Sequence, residues 1–86
     1  MKWIQIVDEG ITPSAKTRIW RVETADENRF ILGKVRWFGR WRKYCFYPSP
    51  YVEQLVFEED CLRDIATFIE LKTQLHRDAR RESRGG

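Results

Sequence analysis

A chain of 86 residues, 42% hydrophobic and 14% aromatic, buries one core and not two, because a domain of this size hides only about 60–65% of its unfolded surface. The formal net charge of +3 is mild, yet cations gather in residues 34–43 and 72–84 while Glu53, Glu58, Glu59, Asp60 and Asp64 form an acidic middle. That layout suits a surface with one side for phosphate or for an acidic protein. No apolar run approaches the roughly 20 residues that span a bilayer, and the first residues carry no export-type apolar segment. Cys45 and Cys61 lack CxxC spacing, so no zinc site and no membrane role is expected, and reduced thiols in a cytoplasmic chain are.

In chain order, residues 3–7 read as a short strand closed by the turn residues Asp8, Glu9 and Gly10, and Thr12-Pro13-Ser14 as a loop. Residues 17–24, TRIWRVET, are β-branched and aromatic; a period of two puts Trp20 and Val22 on one face and Ile19, Arg21 and Glu23 on the other. Residues 25–28 form a polar hairpin connection. In residues 30–38 the same period places Ile31, Gly33, Val35 and Trp37 on the core side and Lys34 and Arg36 outside. Gly39-Arg40 is the next turn. Residues 41–47 then form a strand with Arg42, Tyr44 and Phe46 on one face and Trp41, Lys43, Cys45 and Tyr47 on the other, ended by Pro48-Ser49-Pro50. Residues 54–57 read as a short strand or an extended approach to a helix.

Cys61, Leu62, Ile65, Phe68, Ile69 and Leu75 recur at spacings of three and four and draw one apolar stripe along a helix over residues 61–81, about 30 Å long. Asp60 is the expected N-cap, with Glu58 and Glu59 at the positive end of the dipole and Lys72, His76, Arg77, Arg80 and Arg81 toward the other end. The stripe stops at Leu75, which predicts that residues beyond about Arg77 fray or project. The expected architecture is α+β: an antiparallel meander of three to five strands with one long C-terminal helix packed on it. It forms a single domain over residues 1–77 with a basic frayed tail over 78–86, DARRESRGG.

Two motifs stand out: L-G-x-V-x-W-x-x-x-W-R-x-Y-x-F-x-P from Leu32 to Pro48, and F-x-x-x-C-L-x-D-I-x-x-F-I from Phe57 to Ile69. In these the chain resembles a family of small proteins of bacteria, archaea and their phages. The resemblance implies a strand meander with a terminal helix and a mobile-element setting, and it supplies no activity. A looser likeness links residues 55–68 to the three-strand-plus-helix DNA-binding modules of phage integrases and AP2-type factors, from which this chain departs by its added strands at residues 3–7 and 17–24.

No residue set predicts catalysis. His76 stands alone past the packed part of the helix, where a solvated imidazole is expected, and Asp60 and Asp64 have no third ligand in register. Gly33 and Gly39 lie in or beside strands rather than in a phosphate loop. The chain therefore reads as a binding protein with no cofactor and no metal. The cationic, aromatic run GKVRWFGRWRKYCFYP points to nucleic acid. Lys34 and Arg36 project about 7 Å apart from one strand face; Arg40, Arg42 and Lys43 extend the field around the turn; Trp41 is placed to stack on a base; Arg77, Arg80 and Arg81 add phosphate contacts from the helix end. Against this, Trp37, Trp41 and Phe46 can fill a core under the helix, which is the favoured place for Trp37 and an open alternative for Trp41, and Arg42 and Lys43 can cover aromatic rings. The alternative function is a protein-interaction module, a phage or mobile-element regulator or inhibitor of a host protein. It would use Arg40, Trp41 and Arg42 with Tyr47 and Tyr51, as a monomer or as a homodimer paired through a sheet edge.

Overall fold

A computed structural model describes residues 3–13, 16–50 and 59–85. Four strands, β1 (Ile4–Ile11), β2 (Arg18–Thr24), β3 (Ile31–Phe38) and β4 (Lys43–Pro48), form one antiparallel sheet in the order β1-β2-β3-β4, followed by the helix α1 (Glu59–Gly85). This is the expected α+β meander with a C-terminal helix lying on one face. The expected strand or extended segment at residues 54–57 lies outside the described residues.

The alternation of side chains builds the two faces. Register pairs Ile6 with Val22, Trp20 with Val35, Val35 with Phe46, and Trp37 with Tyr44, so these residues share the helix-covered face. Ile4, Trp20, Val22, Val35, Tyr44, Cys61 and Ile65 are buried there, and Ile6, Leu32, Trp37, Phe46, Phe68 and Ile69 pack around them. Its aromatic centre is Tyr44, edge-on to Trp20 at 5.1 Å and to Trp37 at 5.2 Å, with Phe68 edge-on to Trp20 at 5.1 Å. Edge-to-face contacts align the positive rim of one ring with the negative face of the next, which adds about 0.5–1.5 kcal/mol per pair to the area buried.

Three local features differ from the sequence expectation. Asp8, Glu9 and Gly10 do not end β1 but form a bulge, with Gly10 at φ 103° and its N–H donated to Asp8 Oδ1 at 2.7 Å. The extra residue kinks the strand and lets it run on to Ile11. A second irregularity falls at Leu32, because Val22 pairs with Gly33 while Glu23 pairs with Ile31. That one-residue slip turns Ile31 to the open face, 46% exposed, and brings Leu32 against the core instead. Gly33 is obligatory at this crossing, since a Cβ there would collide with the Tyr47 carbonyl oxygen and the Phe46 ring. Finally, β4 begins at Lys43 and not at Trp41, because Arg42 adopts φ 53° within a turn. β4 ends on Pro48, which an edge strand tolerates.

In α1 the buried face is carried by Cys61, Ile65 and Thr73, with Phe68 and Ile69 beside them. Leu62 and Leu75, expected in the stripe, stand at its margins and are about half exposed. Asp60 lies inside the first turn rather than capping it, where Arg63 pairs with both Glu59 and Asp60. The helix packs on β4, whose Tyr44 N–H donates to Thr73 Oγ1 at 3.1 Å. An edge amide is thereby satisfied and the helix is tied to the strand. The 27 residues of α1 span about 40 Å, close to the molecule's longest dimension of 45 Å. The segment from Asp78 that the sequence marks as a frayed tail is the continuation of this helix.

Cys61 is buried in the core, whereas Cys45 pairs with Arg36 on the open face, so the sheet separates the two thiols. Among the described residues no helix is long and apolar enough to cross a membrane.

Candidate nucleic-acid interface

The β3–β4 turn is closed by Trp41 N–H donating to Phe38 O at 3.2 Å and Arg42 N–H donating to Gly39 O at 3.3 Å. Arg42 sits in the left-handed region at φ 53°, where a side chain other than glycine or asparagine costs on the order of 1–2 kcal/mol. This conformation sends consecutive residues to opposite sides of the sheet. Trp41 lies against Phe38 on the open face, with ring centroids 4.8 Å apart, while the Arg42 carbonyl accepts from Arg77 Nη2 of α1 at 3.4 Å.

Arg77, Arg80 and Arg81 follow the i, i+3, i+4 spacing that puts side chains on one helix face. With Arg42 they line a cleft of about 310 Å³. All four are exposed, and among the described residues no acid lines the cleft and none of the four belongs to a salt bridge. Asp78, next to Arg77 in sequence, accepts from Gln74 Nε2 at 2.9 Å. Four arginines that meet from the β3–β4 turn and α1 line a concave surface whose donors match phosphate oxygens.

The other expected residues divide. Arg40 in the same turn and Lys43 at the start of β4 are both exposed and enlarge the field. Trp41 is 63% exposed and so is not a core residue, whereas Trp37 packs on Tyr44 and His76. Lys34 is tied to Glu9 at 3.1 Å, Arg21 bridges Glu9 at 3.1 Å and Glu23 at 2.9 Å, and the Gln5 amide also donates to Glu23. The Gln5 and Arg21 hydrogen bonds hold the Glu23 carboxyl below its ordinary value, so Arg21, Lys34, Glu9 and Glu23 make a locally neutral patch on the open face. Arg36 lies over the Tyr47 ring, 5.3 Å from its centroid.

No family model, curated protein or solved structure matches the chain. What the site can do is therefore argued from its own residues.

Sequence reasoning did not place two further cations, Lys16 and Lys72, or the His76 imidazole beside the cleft. Lys16, Lys72 and His76, with Trp20 and Tyr44, line a neighbouring depression of about 320 Å³ between the β1–β2 loop and α1. Lys72 Nζ stands over Trp20 and Phe68, 5.5 and 5.4 Å from their ring centroids. His76 is not solvated as expected but half-buried, its ring 4.5 Å from Trp37 and 6.1 Å from Tyr44. The signal was present in the helical repeat, since His76 follows Cys61, Ile65, Phe68 and Lys72 at spacings of three and four. Among the described residues no cluster of acids, cysteines and histidines could hold a metal ion.

Burial, and secondly Arg80, push the His76 imidazole below its ordinary value of 6.5. Below 6.5 the unfolded chain binds this proton more readily than the folded one. His76 therefore withdraws no stability above 6.5, and stability falls as the pH drops through the lowered folded value. Thermal melts between pH 7.5 and 5.5 are expected to show that decline, and His76→Phe to flatten it; an equal slope in both proteins would place its cause elsewhere. The Glu23 and Asp26 carboxyls, also lowered, act only in the more acidic carboxylate range.

Proposed function

We propose that this domain is a nucleic-acid-binding module, without catalytic function, that grips the phosphate backbone through the β3–β4 turn and the last turns of α1. The observation that carries the reading is the cleft shared by Arg42, Arg77, Arg80 and Arg81. Like charges at i, i+4 on a helix destabilise it by about 0.2–0.5 kcal/mol per pair, and a fourth guanidinium is brought in on a left-handed residue. A polyanion relieves that repulsion, and Arg40 and Lys43 lie where its neighbouring phosphates would run. Contacts of this kind fix position and carry little base information, so weak sequence preference is expected.

Salt dependence tests it. Four phosphate contacts give a slope of log K against log salt near −3.6 for duplex DNA, or about −2.8 for a single strand, at roughly −0.9 and −0.7 per contact. Anisotropy titrations of labelled oligonucleotides at several salt concentrations should return a slope of that size. Absence of binding at low salt, or an affinity indifferent to salt, overturns the proposal, and the second outcome favours a protein partner.

A further inference from the structure

We infer that the polynucleotide this domain prefers is single-stranded, with unpaired bases stacked on an aromatic ladder that crosses the open face from Trp41 through Phe38 to Tyr47. The inference rests on the phosphate-binding reading above and names the form of its ligand.

Among the described residues the one element packed on the sheet is the helix, on one face, so aromatic rings on the other face lie outside the helix-side core. Yet Phe38 lies 4.8 Å from Trp41 and 6.5 Å from Tyr47, centroid to centroid, and Arg36 covers the Tyr47 ring. Trp41 is exposed and Phe38 and Tyr47 are half-buried beside it, and single exposed apolar residues are ordinary whereas contiguous apolar surface marks a contact surface. This one continues past Tyr47 into an open groove of about 780 Å³, beside which Phe30 and Ile31 are 61% and 46% exposed. Asp26 shapes its rim by accepting from Thr24 Oγ1 and from the Asn28 and Arg29 N–H groups, so that Arg29 faces the groove. Among the described residues its charged lining is Arg29, Lys34 and Arg36, of which Lys34 is paired with Glu9.

Charge and continuity identify the occupant. Trp41 and Arg42 are consecutive residues of one turn that face opposite sides of the sheet, so the cleft and the ladder meet around the β3–β4 end of the sheet. A chain that seats a phosphate among the arginines reaches Trp41 by rounding that turn, and β3 then offers Arg36 and Phe38 at the roughly 7 Å repeat of a strand. Cationic flank and aromatic floor together are the arrangement that holds unpaired bases, because every base has a π-face. In a duplex those faces are already stacked and unavailable.

The test compares oligothymidylate, oligouridylate and a duplex of matched length at low salt, for the native chain and for Trp41→Ala. Single strands are expected to bind about tenfold or more tighter than duplex, the two oligomers showing whether DNA or RNA is favoured. Trp41→Ala should weaken them by roughly 5- to 150-fold, the equivalent of about 1–3 kcal/mol per stacked base, and leave duplex affinity unchanged. Trp41→Phe should restore most of the loss. Because Trp41 is 63% exposed, its removal opens no cavity, and an unaltered melting curve verifies that. Equal affinities for single strand and duplex, or single-strand binding unmoved by Trp41→Ala, overturn the inference while the arginine cleft stands. No binding to any of the three probes overturns both.

Discussion

Removing Arg80 and Arg81 together, as Arg80→Ala with Arg81→Ala, is expected to weaken duplex binding about 60-fold at 0.1 M salt and to halve the salt slope from near −3.6 to near −1.8. The size follows from counterion release. Each phosphate neutralised contributes about 0.9 of a decade in affinity for each decade of salt below 1 M, so two lost contacts remove about 1.8 decades. The fold should be indifferent, because both side chains are exposed and among the described residues neither is in a salt bridge. Surface changes of that kind stay within about 0.5 kcal/mol. Arg63→Ala is the matched control, since that arginine is taken up by Glu59 and Asp60 at the other end of α1. The variant carries an internal check as well: Arg80 helps depress the His76 imidazole, so its removal should raise that titration toward 6.5. A salt slope that stays near −3.6 would show that these arginines face no phosphate.

The strands of this fold were legible because period-two alternation in TRIWRVET and in GKVRW separates core from surface without tertiary information. The exceptions arise where one strand meets another. Ile31 belongs with Gly33 by alternation, yet the slip at Leu32 sends it to the opposite face, and its setting, the close crossing of Gly33 by Tyr47 and Phe46, exists only once β4 has paired. Asp8-Glu9-Gly10 has the composition of a turn, and only pairing with β2 shows it to be a bulge. That bulge matters to the site, for Glu9 is the residue that neutralises Lys34. The spacing of Arg77, Arg80 and Arg81 could be read directly from the chain. Their meeting with Arg42 could not, because it depends on where α1 crosses β4 and on a left-handed residue that no arginine advertises. Trp37 and Trp41 look alike in sequence; the turn beginning at Gly39 decides that the first packs on Tyr44 and the second faces outward.

Trp20→Ala is expected to cost about 3–5 kcal/mol, the range for deleting a buried large aromatic. For 86 residues the total stability is on the order of 4–13 kcal/mol, so the melting temperature should fall by roughly 20 °C or more. Trp20 is 7% exposed and stands where β2, β4 and α1 meet, edge-on to Tyr44 and Phe68 and beneath Lys72. Tyr44 in turn takes the Arg18 N–H on its hydroxyl and gives its own N–H to Thr73. Loss of the indole leaves that tyrosine without one wall and loosens the contact that sets α1 on β4. The consequence reaches the interface, because the distance from Arg77, Arg80 and Arg81 to Arg42 is fixed by the same contact. Nucleic-acid affinity should therefore drop in Trp20→Ala even where the protein remains folded, and Trp20→Phe, which keeps an aromatic edge against Tyr44, should recover much of both losses. Circular-dichroism melts paired with binding isotherms below the variant's midpoint separate the two effects. A melting temperature within a few degrees of native would mean that Trp20 does not hold the helix in place, and unchanged affinity in a destabilised variant would mean that the arginine cleft does not depend on it.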